Sequence, residues 1–484
     1  MRTVAPRRVD SAHLIHLLGD WANPSIGLVE SLTTAVMDLV RAGLIVPGVE
    51  LPPQRVLAQA LSVSRGTVTM AYANLVERGY LEARRGSGSR IRSRAREAER
   101  TAQGRLMSLT RAAPGVVDLS SGALPASVIT REVLGQPLPD MAAYYDTDGY
   151  FPQGVPALRS ALADHLTASG LPTQPDEVVV TAGGQQGLHI AVGSVVQPGD
   201  LCLVEEPTYR GALEVLQDCS ARIETVPADS GIDVRLVARA MTRHPAALIC
   251  QTSINNPTGQ TMAVDQRIEL ADVINRNGLT TIEDCCSFDL TCSGQPATTL
   301  AGLVDPSLLI CVGTFSKLFW GGLRLGWIRT SSDRIRSLTE LRKTVDLASS
   351  VPCQLKGIDL LAHVDQARIE RQMMLNEHLA ATQAAIREVF PQWTWRPIHG
   401  GSSLWVDTHT DTVALVERAK RARIKLSAGP SFSANGGQRT MLRLPVWHAP
   451  DMARETLIRL AHAIDDPARR TGGQSSRAAS RTSV

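Results

Sequence analysis

Two helical patterns separated by only three residues constrain the fold of this chain more than any other feature. The first follows the pair Pro52–Pro53, a typical helix start, and ends at the short connection Ser62–Val63–Ser64. Ser64 is well placed to cap the second helix, because a serine side chain accepts hydrogen bonds from the free N–H groups of a first turn. This spacing predicts a helix-turn-helix unit.

The flanking segments extend this unit on both sides. An amphipathic helix is predicted from Leu28, with Gly43 as its C-terminal stop, and a β-hairpin is predicted from Tyr80 to Ile91 with its tip at residues 84–88. Three helices and a hairpin in this order form a winged helix-turn-helix of the α+β class. The alternative is a small helical packing domain with a solvated hairpin.

The exposed face of the third helix carries Arg65, Thr67 and Thr69, which are side chains suited to phosphates and base edges. Charge is concentrated nearby: residues 1–100 hold fourteen Arg and no Lys against nine Asp and Glu, although the whole chain carries only +3. Alone, such a patch would indicate a solvated surface. Together with the fold, it predicts that the third helix enters the DNA major groove while the wing contacts the backbone or minor groove.

The segment LPPQRVLAQALSVSRGTVTMAYANLVERGYLEARRGSGSRI resembles the winged helix of GntR-type bacterial regulators almost from end to end. The resemblance implies binding to double-stranded DNA as a dimer on paired half-sites. With the exposed helix face and the hairpin tip, the candidate DNA-binding residues are Arg55, Ser64, Arg65, Thr67, Thr69, Arg84, Arg85, Gly86 and Gly88.

The length of 484 residues predicts a multidomain protein. We assign 22–92 to the DNA-binding domain, 93–115 to an Arg/Glu/Ala/Ser-rich linker, 116–466 to an α/β domain with alternating strand and helix patterns, and 467–484 to a disordered tail. We find no membrane span or secretion signal, and the eight scattered cysteines show neither disulfide nor metal-ligand spacing. A cytoplasmic location and no metal are therefore expected.

In the α/β domain, two strand-to-helix junctions carry groups suited to a phosphate and an aldehyde. The strand Val178–Thr181 precedes the turn 182–186 (AGGQQ), whose backbone N–H groups can bind an anion. The strand Leu308–Val312 leads to Lys317, which can form a Schiff base, and Arg324 can hold a phosphate. Taken singly, the turn can be Gly-rich for packing reasons, and Lys317 would most often be a surface lysine.

Two further junctions carry an amide and a carboxylate. Asn256, in the sequence NNPTG after the strand Leu248–Thr252, can donate to a phenolic oxygen, although this sequence alone also fits a turn. Asp284 ends the strand Thr280–Asp284, so it faces the crevice at the carboxyl edge of a parallel sheet and can pair with a pyridine nitrogen. Alone, Asp284 would more often cap a helix.

Together the four junctions supply a partner for each polar part of pyridoxal 5'-phosphate (PLP), and Tyr209 is placed to stack on its ring. Their order and spacing over 116–465 resemble fold-type I PLP-dependent aminotransferases. Lys317 is the candidate catalytic residue. The candidate cofactor-binding residues are Gly183, Gly184, Gln185, Tyr209, Asn256, Asp284, Cys286, Ser316, Lys317 and Arg324.

A GntR winged helix fused to such a domain resembles the MocR family of regulators over nearly the whole chain. The segments FWGGLRLGWIR and VDLASS are similar to its YczR-type branch. The resemblance implies a head-to-tail homodimer in which each winged helix lies over the partner's large domain. Arg443 matches the family's substrate-carboxylate arginine, which implies an effector with a carboxylate; the alternative for Arg443 is a structural salt bridge.

The chain departs from this family pattern at Cys286, where many relatives carry a tyrosine that donates to the PLP phenolate. A thiol is a weaker donor. We therefore expect the Lys317–PLP linkage to stay protonated to higher pH and transamination to be impaired. The tyrosine that a neighbouring subunit gives to the phosphate is also not matched, since Gly149 aligns there and Tyr150 follows one residue later.

The sequence favours a PLP-dependent regulator that senses a small amine, an amino acid or PLP itself, with catalysis lost or vestigial. A working aminotransferase with an accessory DNA-binding domain is the alternative; Lys317, Asp284 and Arg443 permit it and Cys286 weighs against it. A PLP-free regulator that keeps the large domain only for dimerisation is disfavoured, because all four cofactor anchors are present.

Overall fold

The computed structural model describes residues 9–19, 21–22, 27–41, 45, 48–78, 80–84, 88–91, 112–228 and 231–465. The predicted helix stop Gly43, the wing residues Arg85 and Gly86, most of the linker 93–115 and the tail 467–484 lie outside the described residues. Among the helices described, none is both long and apolar enough to cross a membrane.

The N-terminal domain is a helical bundle with a three-stranded antiparallel sheet of order β1-β3-β2. Its elements are α1 (Ser11–Leu18), α2 (Gly27–Arg41), β1 (Glu50–Leu51), α3 (Gln54–Ala60), α4 (Arg65–Glu77), β2 (Leu81–Arg84) and β3 (Gly88–Ile91). The predicted winged helix-turn-helix is confirmed. Helix α1 was not predicted; it precedes residue 22, where the sequence places the start of the domain, and its Leu14 is fully buried in the domain core.

The large domain is built on a seven-stranded sheet of order β5-β11-β10-β9-β8-β6-β7. The strands are β5 (Val178–Thr181), β6 (Leu201–Glu206), β7 (Arg222–Pro227), β8 (Ala247–Cys250), β9 (Thr281–Asp284), β10 (Leu309–Thr314) and β11 (Gly326–Arg329). All neighbours are parallel except β11, which runs antiparallel to both β10 and β5. The prediction of a largely parallel α/β fold is confirmed.

Helices cover both faces of this sheet, and a separate apolar core lies on each face. The helices are α5 (Val128–Gly135), α6 (Ala142–Tyr145), α7 (Pro156–Ala168), α8 (Gly184–Val195), α9 (Arg210–Asp218), α10 (Val234–Ala240), α11 (Val264–Asn277), α12 (Ser332–Val345) and α13 (Val351–Leu361). Because the strands are largely apolar on both sides, the polar residues gather at the strand ends.

A smaller C-terminal unit has its own core beneath a four-stranded sheet of order β12-β13-β16-β15. Its elements are α14 (Val364–Val389), β12 (Thr394–Trp395), β13 (Ser403–Asp407), α15 (Thr412–Arg421), β14 (Ile424–Lys425), β15 (Ser427–Ala428), β16 (Met441–Pro445) and α16 (Pro450–Asp465). The segment after the linker joins this unit, because β4 (Val117–Asp118) pairs in parallel with β14.

Candidate cofactor site

The Gly-rich turn between β5 and α8 forms a cradle with open backbone N–H groups. Gly183 has φ +94°, a conformation that favours glycine, and α8 begins at Gly184. The guanidinium of Arg324 faces this turn, since a Cβ at Gly183 would lie 3.1 Å from its Nη2, and it donates to the carbonyl of Ala182. Gln185 Oε1 is buried there without a hydrogen-bond partner. A helix start and an arginine suit a phosphate.

Lys317 lies beside this cradle, in a short π-helical turn that begins at Ser316. The Ser316 hydroxyl accepts a hydrogen bond from Thr314 Oγ1 at 2.9 Å, which fixes the start of the turn at the end of β10. Lys317 Nζ donates to the carbonyl of Gly122 at 2.8 Å. Burial and the nearby charge of Arg443 lower the pKa of Lys317 to about 8. A buried amine of lowered pKa is a suitable nucleophile.

Asp284, at the end of β9, is the carboxylate of the site. It accepts hydrogen bonds from the backbone N–H of Cys286 at 2.9 Å and from Gln251 Nε2 at 3.3 Å. Burial raises the pKa of Asp284, while the contacts from Cys286 and the charge of Lys317 oppose this shift. The carboxylate is thus held in place by two donors and can accept from a further one such as a pyridinium.

Asn256 and Tyr209 complete the surroundings of these groups. Asn256 donates its backbone N–H to Gln251 Oε1, and its side-chain oxygen accepts from Arg443 Nη1 at 3.3 Å. Burial raises the pKa of Tyr209 to about 12, and the charges of Asp284 and Arg443 both act on it. The structure therefore brings the residues of all four predicted junctions together.

Cys286 packs directly against the Gly-rich turn at the start of α8. A Cβ added at Gly184 would lie only 2.4 Å from its Sγ, so the thiol fills the space beside the first turn of α8. Burial and the neighbouring Asp284 carboxylate raise the pKa of the Cys286 thiol well above its usual range. At neutral pH Cys286 is a protonated thiol, close to both Asp284 and Lys317.

Arg443 lies in β16 and closes the site from the smaller unit. Its side chain is buried, donates to the carbonyl of Ser120, and lies with its Cζ 4.9 Å from the centre of the Phe432 ring. Its Nε is buried without a hydrogen-bond partner. In the described part of the chain Arg443 has no carboxylate partner, which argues against the structural salt bridge considered from the sequence.

Three features of the site were not predicted. Gln251, directly after β8, connects Asp284 to Asn256. The segment Ser120–Gly122 presents its carbonyls to Lys317, Arg443 and Arg210. Arg210, which begins α9 after Tyr209, is a second buried guanidinium. The position of Gln251 directly after a strand could have indicated its role from the sequence. The roles of Ser120–Gly122 and Arg210 depend on contacts between residues that are distant in sequence.

A separate cluster of buried side chains that could ligate a metal lies in the core around β9 and β10. It consists of Glu283, Cys285 and Cys311. The Glu283 carboxylate already accepts from Thr252 Oγ1 and from the backbone N–H of Leu300. Hydrogen bonding and burial raise the pKa of Cys285 well above its usual range. These groups are satisfied within the core by their own hydrogen bonds, with the Cys285 thiol neutral.

The candidate DNA-binding residues in and beside α3 and α4 are exposed, except Thr67, which is half-buried. Ser64 caps α4 by accepting from the backbone N–H of Thr67 at 3.0 Å, as predicted. Arg55 and Arg65 are exposed. Thr69 is also exposed, but its hydroxyl donates to Gln54 Oε1 at 3.0 Å. Of the wing, Arg84 ends β2 and Gly88 begins β3.

The family model for aminotransferases of class I and II matches residues 114–401, more than half of the chain. The chain belongs to the aminotransferase class I and II family. A second model, for bacterial regulatory proteins of the gntR family, matches residues 28–91. This member of the aminotransferase family therefore carries a GntR-type helix-turn-helix domain before its aminotransferase domain. The same two domains are combined in MocR-type regulators.

Two transcriptional regulators and one aminotransferase of known structure are similar to this chain along most of their length. The chain is 25% identical over 442 residues to the uncharacterized HTH-type transcriptional regulator YisV of Bacillus subtilis (strain 168), covering 86% of this chain and 91% of YisV. It is 29% identical to the pyridoxine biosynthesis transcriptional regulator PdxR of Corynebacterium glutamicum, covering 76% and 81%. The structure of LysN, an α-aminoadipate aminotransferase from Thermus thermophilus, matches with a TM-score of 0.66 at 24% identity, covering 76% of this chain and 97% of LysN. This last likeness establishes the fold.

Proposed function

We propose that the chain is a PLP-dependent transcriptional regulator, which binds double-stranded DNA with its winged helix and senses a small amine or amino acid, or PLP itself, with its aminotransferase-like domain. The observation that carries the proposal is the union in one chain of a GntR-type domain with a complete set of PLP partners. Relatives with both domains, such as PdxR, are named as transcriptional regulators. We place the protein in the cytoplasm, where its DNA would be.

The residues of the site match the polar groups of PLP in chemical type. The Gly183 turn with Arg324 would hold the phosphate, Asp284 the ring nitrogen, Asn256 the phenolic oxygen, and Lys317 the aldehyde carbon. Bound there, the cofactor would supply an electron-withdrawing ring. The low pKa of Lys317 keeps part of this amine neutral near physiological pH and therefore able to react.

An effector would compete with backbone carbonyl groups for the cationic side chains of this site. Lys317 donates to the carbonyl of Gly122, and Arg443 donates to the carbonyl of Ser120. A ligand that engages either side chain displaces these carbonyls from their donors. Because the segment Ser120–Gly122 follows β4 and the linker that leads to the DNA-binding domain, ligand binding acts on the connection between the two domains.

The two domains also touch next to the site. Asn435 Nδ2 lies 3.4 Å from the Tyr80 hydroxyl, and a Cβ at Gly437 would lie 2.8 Å from the carbonyl of Glu77. A cavity of about 470 Å³ beside this contact is lined by both domains. The loop that carries Asn435 begins directly after Phe432, the ring against which Arg443 lies. This contact is a second route by which a bound effector can bias the DNA-binding domain.

We further propose a head-to-tail homodimer. Large apolar side chains are exposed on the large domain, among them Tyr145 at 75% and Tyr150 at 58%, together with Trp320 and Leu347. A second copy would cover such side chains and gain the hydrophobic free energy of their burial. In a single chain the winged helix contacts its own large domain, so the exchange of winged helices between partners is tested by analytical ultracentrifugation and inter-subunit cross-linking.

The function is tested with a duplex enriched from a random pool by the full-length protein. Gel-shift affinities are measured for the wild type, Lys317→Ala and the exposed-residue control Lys343→Ala, each with and without PLP and added amino acids. We expect PLP or an amino acid to change DNA affinity in the wild type and in Lys343→Ala, and to have no effect in Lys317→Ala. An equal DNA affinity under all conditions would reduce the large domain to a scaffold.

A working aminotransferase is the second candidate, because the lowered pKa of Lys317 also suits an amine that moves protons during turnover. The discriminating assay adds an amino acid and a keto acid to the PLP-loaded protein. Sustained formation of the new amino acid would establish an enzyme. A single conversion of the cofactor without turnover favours the regulator.

A further inference from the structure

Arg210 places a second guanidinium beside Arg443 in the effector site. It begins α9 directly after Tyr209 and is 4% exposed, while Arg443 is 2% exposed. Both guanidinium groups lie against the same aromatic ring, with their Cζ atoms 5.4 Å and 4.9 Å from the centre of Phe432. The two buried guanidinium groups therefore bring two positive charges close together beside the Phe432 ring.

Both arginines converge on a single acceptor. Nη2 of Arg210 donates to the carbonyl of Ser120 at 3.3 Å, and Nη2 of Arg443 donates to the same oxygen. Each guanidinium makes a further contact: Arg210 Nη1 donates to Ser427 Oγ at 3.0 Å, and Arg443 Nη1 donates to Asn256 Oδ1 at 3.3 Å. The Ser120 carbonyl thus occupies a position from which an anion would reach both forks.

The electrostatics of the site also favour an anion. Burial and the charge of Arg210 lower the pKa of Arg443, and the charges of both arginines contribute to the low pKa of Lys317. Asp118 acts on both arginines, but its carboxylate already accepts from Ser120 and from Lys425. Like charges held together in a buried site repel one another, and a negative group that enters relieves this repulsion.

The two guanidinium groups offer enough donors for two negative groups on one ligand. The planar fork of Arg443, aided by Asn256, is sufficient for one carboxylate, which it can bind through two parallel hydrogen bonds. The guanidinium of Arg210 lies beside that pair. A second acidic group on the ligand gains a charged hydrogen bond from Arg210, whereas an amide in the same place gains only a weaker one and an apolar group gains none.

We propose that Arg210 is a second anion-binding residue of the effector site, and that the effector is an amino acid with an acidic side chain. The inference rests on the proposed function in one respect, namely that Lys317 and PLP receive the amine. Arg443 binds the α-carboxylate, Arg210 binds the acidic side chain, and the carbonyl of Ser120 is displaced. Arg210 is therefore the residue that determines the effector's charge.

The test compares ligands of matched shape and different charge. Full-length PLP-loaded protein is titrated with L-glutamate and L-glutamine, and with L-aspartate and L-asparagine, and binding is followed by the visible absorbance of the cofactor. We expect each acid to bind about tenfold or more tightly than its amide, the effect of one charged hydrogen bond. Arg210→Gln should bring this ratio to about one and leave the affinity for the amides within about twofold, while the exposed control Arg336→Gln keeps the wild-type ratio.

Two results would overturn the proposal: an equal affinity of the wild type for acid and amide, or an equal weakening of both by Arg210→Gln. Should Arg210→Gln fail to fold, as judged by circular dichroism, Arg210→Met decides the question. It keeps much of the side-chain volume but has neither charge nor donor, so it should also bring the ratio to about one, and an unchanged preference would assign it to another residue. The titration reads ligand binding and not DNA affinity, so its outcome is independent of the operator experiment.

Discussion

The pH dependence of PLP capture by Lys317 follows directly from the surroundings of this amine. Burial, the charge of Arg443 and, to a smaller extent, the charge of Arg210 lower the pKa of Lys317 to about 8. At pH 7, about one molecule in ten then carries a neutral amine, compared with roughly one in three thousand for a lysine of ordinary pKa. The capture rate should therefore rise about tenfold per pH unit below pH 7, reach half its maximum near pH 8, and level off above it.

The assay mixes PLP-free protein with PLP in a stopped-flow instrument and follows the visible absorbance at a series of pH values. Nα-acetyl-lysine in the same buffers corrects for the ionisations of PLP, and Lys317→Ala should show no capture. Arg443→Gln removes one of the charges that lower the pKa, so its half-maximum should move to higher pH. A wild-type rate that still rises about tenfold per unit through about pH 9 would refute the low pKa of Lys317.

Three further variants test other parts of the structure. Ser64→Ala removes the cap of α4 and should destabilise the N-terminal domain by about 1 kcal/mol in thermal unfolding, with Ser64→Gly costing only a few tenths; equal costs would contradict a capping role. Gly184→Ala should weaken PLP binding in absorbance titrations, because the added Cβ meets the Cys286 thiol. In the double variant, Cys286→Ala should restore part of the lost affinity. If the two substitutions changed the binding free energy additively, this contact would be excluded. Arg65→Ala should weaken DNA binding and reduce the slope of log affinity against log salt by about one; an unchanged slope would show that Arg65 does not contact phosphate.

Local sequence signals were sufficient wherever a residue's role depends on its position at the end of an element. Ser64 follows a tight connection and caps α4, as predicted. Asp284 ends a strand, and Gly183 lies between a strand and a helix, so their places at the carboxyl edge of the sheet follow from the parallel fold. The strand boundaries shifted by one or two residues, for example from Leu308–Val312 to Leu309–Thr314, without moving the site.

Sequence reasoning was not sufficient where a role depends on contacts between distant segments. Helix α1 carries Leu14 and Leu18 one turn apart between Asp10 and Gly19, but it is only eight residues long, and its membership of the domain is evident from Leu14 in the shared core. Arg210 resembles an ordinary residue in the first turn of a helix. Its role becomes visible only when Phe432 and Ser120, both distant in sequence, are placed beside it.

The sequence by itself determined the two domains, the helix-turn-helix and the polar side chains that gather at the strand ends, because these depend on local spacing and on the ends of strands. The tertiary structure alone decided how the site is closed. It placed Arg210 against Arg443, directed the carbonyls of Ser120 and Gly122 at the cationic side chains, and set Asn435 against Tyr80. These contacts result from the packing of the smaller unit and the post-linker segment on the sheet, and no periodicity within either segment encodes the distance between them.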